Sequence, residues 1–112
     1  LIDRISGRAS FRRFDGARRR RTGLFTLVVA EPPSADGPPA LAFAVARRIG
    51  GAVVRNRIRR RLRAVFAELD RRGELPRRWY LVVVHPPAVH ADHQALHGAV
   101  VEALRRVTDV DR

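Results

Sequence analysis

The sequence contains no cysteine, no methionine and no lysine. Without cysteine, disulfides and thiolate chemistry are excluded, and a reducing compartment is permitted. No apolar run approaches the roughly 20 residues needed to span a bilayer. Acidic residues are sparse, 11 among 112, and they are scattered. No Ser-His-Asp or Cys-His arrangement, phosphate-binding glycine loop or paired-carboxylate constellation occurs. An active site built from protein groups alone is therefore not expected.

What remains is positive charge on a chain able to fold. The formal net charge is +12, and all 23 basic residues are arginine. A GC-rich coding bias accounts for the missing lysine but not for the sign imbalance or its placement. From Gly37 to Ala67 there is no acidic residue, and Arg47, Arg48, Arg55, Arg57, Arg59, Arg60, Arg61 and Arg63 all lie there. A second acid-free block is Arg18-Arg19-Arg20-Arg21. Such concentration points to a polyanion, with nucleic acid favoured over an anionic membrane. The hydrophobic share of 46% and the length of 112 residues fit one globular domain spanning 1–112.

The apolar spacing places this charge on structure. Ser10 is positioned to cap a short helix carrying Phe11 and Phe14, which Gly16 ends. Residues 24–30 read as a strand, and a further short strand could hide in the arginine block. Glu31 to Ala40 holds four prolines and reads as a loop. Leu41 to Ala46 alternates large and small residues, setting Leu41, Phe43 and Val45 on one face. After Gly50-Gly51, Val54, Ile58, Leu62, Val65, Phe66 and Leu69 recur at steps of three and four, predicting a long helix ended by Gly73 and Pro76. On its wheel Arg55, Arg59, Arg60 and Arg63 share one flank with Asn56, while Arg57 and Arg61 lie on the other. Trp79 to Val84 reads as a central strand. A last helix runs from about Ala91 to Val107, with Leu96, Val100, Ala103, Leu104 and Val107 inward. The fold class is α/β, an α+β sandwich.

Two other groups invite chemistry. Phe11 and Phe14, interleaved with Arg12, Arg13 and Arg18, suit either a stacking platform for unpaired bases or an anchor of the first helix to the sheet. His90, His93 and His97 have ligand-like spacing but lack a cysteine or a suitably placed carboxylate, so exposed helix histidines are expected and no metal site. Arginine's planar fork suits phosphate oxygens, and Asn56, the only asparagine, can both donate and accept amid the arginines.

The run from Ile49 through Gly50-Gly51-Ala52-Val53-Val54-Arg55-Asn56-Arg57-Ile58-Arg59-Arg60-Arg61-Leu62 to Arg63 closely resembles the signature of the bacterial ribonuclease P protein subunit. Arg47-Arg48 match that family's usual basic pair. Arg4-Ile5, Phe11, the following basic block and Tyr80 to Val84 also fit. The resemblance implies the order α-β-β-β-α-β-α, with a central, mostly antiparallel sheet and one parallel pair joined by a left-handed crossover helix. It implies a cytoplasmic RNA-binding subunit of an endoribonuclease that removes the 5′ leader from precursor tRNA. The chemistry is then carried by a catalytic RNA with Mg²⁺, and no protein residue is catalytic. The implied partners are ribonuclease P RNA and precursor tRNA, with no membrane and no obligate protein partner.

Carried onto this chain, RNA binding falls to Arg47, Arg48, Arg55, Asn56, Arg57, Arg59, Arg60 and Arg63. A leader-binding cleft falls to Phe11, Phe14, Thr26, Val28, Ala44 and Ala46, with Ala30 alongside. The chain departs from the family pattern at Asp15 and Val28, where aromatics are usual, and at Ala44 and Ala46, where serines are usual. The Asp15 carboxylate would repel a leader phosphate, and the other three departures make the cleft read as apolar and poor in hydrogen bonds. The alternative is a ribosomal-type structural RNA-binding protein. A DNA module is disfavoured because arginine with little else reads bases poorly.

Overall fold

The structure is a computed structural model and describes residues 2–109, with side-chain surroundings through Val107. Leu1 and residues 110–112, the ends of the expected 1–112 domain, lie outside the described residues. The elements are β1 (Asp3–Arg4), α1 (Arg8–Phe11) running into a 3-10 turn over Arg12–Phe14, β2 (Arg18–Arg21), β3 (Phe25–Ala30), β4 (Ala40–Ala44), α2 (Ala52–Arg71), β5 (Trp79–Val84) and α3 (His93–Asp109). After β1 the order is the expected α-β-β-β-α-β-α. No helix among the described residues is long and apolar enough to cross a membrane.

The five strands form one sheet in the order β1-β4-β5-β3-β2. β4 and β5 are parallel and are joined through α2, while β5–β3 and β3–β2 are antiparallel. The sheet is more evenly mixed than expected, because β1 adds a second parallel pair against β4. Two exposed polar residues carry no apolar alternation, so nothing in their pattern announces a strand.

Both long helices pack on one face. Ile58, Leu62, Val65, Phe66 and Leu69 of α2 and Leu96, Val100, Ala103, Leu104 and Val107 of α3 meet Phe25, Leu27, Val29, Leu41, Tyr80, Val82 and Val84. The predicted inward faces of both helices are thus the observed ones, except for Val54, which is half-buried beside Gly50 and outside this cluster. Phe66 lies against Tyr80 with ring centroids 5.7 Å apart. Gly73, at φ +71°, ends α2: the Glu74 N–H reaches back to the Leu69 carbonyl at 2.9 Å and the Gly73 N–H to Asp70 at 3.0 Å. Asp92 caps α3, its Oδ1 accepting from the Ala95 N–H at 2.8 Å.

The opposite face carries a smaller apolar cluster of Ile5, Phe14, Val28, Ala30, Ala40 and Ala42, flanked by Ala17, Trp79 and Leu81. The N-terminal segment makes this cover. Ser10 does not cap α1, as the sequence suggested; it lies inside the helix, which starts two residues earlier after Gly7. Gly7 at φ +88° allows a backbone turn there that side chains disfavour.

Gly50 sets where α2 begins. A Cβ at this position would stand 2.9 Å from both Cβ and Cγ1 of Val54, closer than packed carbons tolerate. Gly50→Ala is expected to cost about 1–3 kcal/mol through that overlap, read as a lowered denaturant midpoint.

Candidate nucleic-acid interface

The arginines of α2 divide by what they already hold. Arg55 donates from Nε to the Gly50 carbonyl at 3.1 Å, which fastens the helix start to the preceding turn. Arg61 donates from Nη2 to the Ala91 carbonyl, tying α2 to the segment ahead of α3. Arg63 lays its guanidinium over the Phe43 ring, 5.3 Å from the centroid. Burial, then the charge of Arg4, lowers the Arg63 pKa from its usual value. Arg59 donates from Nη1 to Asn56 Oδ1 at 2.8 Å. That bond occupies the Asn56 acceptor and leaves its amide N–H groups directed elsewhere.

Val53, Asn56, Arg57 and Arg60 are exposed. At positions i, i+3, i+4 and i+7 they form one ridge, opposite the buried stripe. Val53 is 74% exposed, an unusual position for a β-branched apolar side chain. The first turn of α2 carries no acidic residue and has no side-chain cap. Its unpaired N–H groups and positive dipole end therefore add to the arginine field rather than offset it. Arg47 and Arg48, both exposed, lie in the 3-10 turn Arg47–Ile49 just before it.

On the helix-free face, strand pairing arranges side chains in rows. Val28, Leu81 and Ala42 form one row, and Thr26, Val83 and Ala44 the next. Ile5 and Phe14 pack with the first row, where Val28 is 2% and Ala42 6% exposed. The second row is open: Thr26 and Val83 are half-buried and Ala44 is exposed. Phe11 stands 38% exposed beside the cover, its ring 6.3 Å from that of Phe14.

His85, one residue past β5, closes the open row. Its Nε2 lies 2.8 Å from Thr26 Oγ1. Burial, then the charges of Arg21 and Arg48, lowers its pKa from the ordinary histidine value. The folded state thus binds fewer protons here than the unfolded chain. Stability is unaffected by this group above the unfolded value of about 6.5 and declines as pH falls below it, until the folded pKa is passed. His85→Gln is expected to flatten that part of the stability–pH curve, measured by urea unfolding between pH 5 and 7.5.

The predicted residues are therefore unequal. Asn56, Arg57 and Arg60 face solvent together, so Arg57 does not stand apart on the other flank as the wheel suggested, and Arg59 flanks them. Arg55 and Arg63 are partly committed to packing, which the helical wheel could not show. In the cleft, Phe11, Thr26 and Ala44 are accessible. Phe14 and Val28 are buried against each other's cluster and present no surface to a ligand, because the N-terminal segment folds onto that row. Ala46 is exposed but lies beyond the end of β4, so strand alternation does not govern it. Sequence reasoning missed Val53 and His85. His85 follows two places after Val83 in the strand period, and that parity was the available signal. Among the described residues no three His, Asp or Glu side chains converge as a metal site; His93 and His97 are 6.2 Å apart, ring to ring.

A mixed sheet with both helices on one face, an arginine ridge on α2 and an open floor on the sheet's other face define a strongly basic α/β protein. Comparison with known proteins makes this specific. The family model described as Ribonuclease P matches residues 2–108. The "Ribonuclease P protein component" of Thermobifida fusca is 41% identical over 106 residues, covering 85% of this chain and 71% of that protein. The component of the same description from Micrococcus luteus is 38% identical over 112 residues, covering 90% and 84%. Among solved structures, a Staphylococcus aureus RNase P protein superposes with a TM-score of 0.74 at 21% identity, covering 97% of this chain and 94% of that one. The RNase P protein from Thermotoga maritima gives 0.75 at 18% identity, covering 89% and 92%. The chain belongs to the ribonuclease P protein family, and its role is that of the protein component of that endoribonuclease.

Proposed function

We propose that the protein docks the α2 ridge on the catalytic RNA of ribonuclease P and holds the single-stranded 5′ leader of precursor tRNA on the open sheet row. The observation that carries this reading is the separation of two surfaces. An arginine ridge with Asn56 suits a phosphate backbone, because arginine donates in bidentate fashion and stays charged. The floor of Thr26, Val83 and Ala44, with Phe11 beside it, suits unpaired bases, whose faces stack without sequence selection. Its few hydrogen-bonding groups favour many leader sequences over one.

The residues of the interface do not fit a Mg²⁺ ion. Arginine and asparagine amide offer no anionic oxygen, and Asp15, the carboxylate beside Phe11, is not joined by others among the described residues, so this reading assigns the hydrolytic metal to the RNA. The protein's part is to lower phosphate repulsion and to fix the leader relative to the cleavage point. This reading places the protein in the cytoplasm with its RNA.

The test is reconstitution with ribonuclease P RNA. The protein should restore precursor-tRNA cleavage at a Mg²⁺ concentration too low for the RNA alone. It should also tighten binding of leader-bearing substrate over tRNA with a mature 5′ end. A protein that co-sediments with ribosomes and leaves cleavage unchanged is instead a structural ribosomal component.

A further inference from the structure

β2 is an edge strand made entirely of arginine, and its register divides it in two. Arg18 and Arg20 pair with Val29 and Leu27, whose side chains enter the helix-side core. Arg19 and Arg21 pair with Val28 and Thr26, which belong to the opposite face. Residues directly opposite in an antiparallel pair project to the same side of a sheet. Alternate arginines therefore serve different surfaces.

The helix-side pair is occupied. Arg20 Nη2 lies 3.6 Å from Glu102 Oε1 on α3, and Arg106 donates from Nε to the same oxygen at 3.0 Å. The other pair is not: among the described residues no hydrogen bond or ion pair engages the Arg19 or Arg21 side chain, and both are exposed. They stand at one end of the two rows described above. Across β3 and β5 the rows reach β4, after which Arg47 and Arg48 follow. Three strand spacings separate β2 from β4 by roughly 14 Å. Arg47 and Arg48 lie in the turn past the end of β4, and the charges of Arg21 and Arg48 both reach His85 on the floor between them. An apolar floor of that width between two arginine rims suits one unpaired strand, bases inward and phosphates at the edge.

We infer that Arg19 and Arg21 form a phosphate rail along the β2 rim, which grips the backbone of the leader from the side opposite Arg47 and Arg48. This rests on the leader-binding reading above. Charge on an edge strand also deters pairing with other chains, but that role is served by all four arginines alike. The rail predicts a difference between the pairs that edge protection does not.

The experiment measures holoenzyme affinity for precursor tRNA and for tRNA with a mature 5′ end, across a salt series. The ratio of the two affinities isolates the leader. In R19A/R21A this ratio should fall by about tenfold or more. The salt slope of leader-bearing substrate should become shallower by about 1.4, the value for two contacts to a single strand. R18A/R20A removes the same charge and should keep the ratio. R105A/R106A, two charges on α3, provides the same comparison should the first control unfold. R19K/R21K should retain most of the salt slope. Equal losses in all the double alanine variants would overturn the rail in favour of a general field. A ratio of one in the unmodified protein would instead sink the leader reading itself, and the rail with it.

Discussion

Replacing Arg57 and Arg60 together by alanine should weaken binding to ribonuclease P RNA by about a hundredfold while leaving the fold intact. Both side chains are exposed on the same ridge of α2, and the stretch around them holds no acidic residue. A hydrogen bond to a charged group is worth about 1.5–3 kcal/mol, so two lost phosphate contacts amount to at least about 3 kcal/mol. The salt dependence of binding should flatten by nearly 2, since each contact to a duplex backbone contributes about 0.9. The fold should survive because exposed helix positions tolerate alanine, the residue of highest helix propensity. Removing two like charges even relieves repulsion along the helix.

Arg61→Ala provides the contrast within the same helix. Its guanidinium is half-buried and already donates to the Ala91 carbonyl, away from the exposed ridge. Its loss should lower stability by about 1–3 kcal/mol with RNA affinity nearly unchanged at temperatures where the protein is folded. Filter binding against RNA, paired with thermal unfolding, separates the two effects. If R57A/R60A binds like the unmodified protein, the ridge is not the docking surface.

The long helix was legible because its apolar period is unbroken from Val54 to Leu69 and its stops are Gly73 and Pro76. The order of residues around Asn56 then narrowed a polyanion partner to one family. β1 and β2 were less legible for a common reason: short strands of charged residues have no alternation to read. Which way each β2 arginine faces depends on its register with β3, a long-range property absent from local pattern. The cleft was legible in part. Alternation put Thr26, Val28 and Ala44 on the helix-free face and the resemblance added Phe11 beside them, but which of them are open depends on where the N-terminal segment lies. That segment is placed by Ile5 and Phe14, whose burial arises from tertiary packing rather than from their spacing.

The same packing yields opposite expectations for two phenylalanines three residues apart. Phe14 is 4% exposed and fills the cluster with Ile5, Val28, Ala30 and the alanines of β4. Phe14→Ala should cost about 3–5 kcal/mol, from lost burial and the cavity left among small neighbours that have no bulk to fill it. For a domain of this size that is a fall in melting temperature of roughly 15 °C or more. Phe11→Ala removes a ring already 38% exposed, so its stability cost should stay near about 1 kcal/mol. Its effect should appear in the leader: a lost stacking contact weakens leader-bearing substrate by about 1–3 kcal/mol and leaves tRNA with a mature 5′ end unaffected. Calorimetry and substrate affinity measured on both variants decide the matter. A Phe11 variant that melts early while keeping leader affinity would make that ring an anchor as well. The open floor would then hold the leader without an aromatic wall, through Thr26, Val83 and the arginine rims alone.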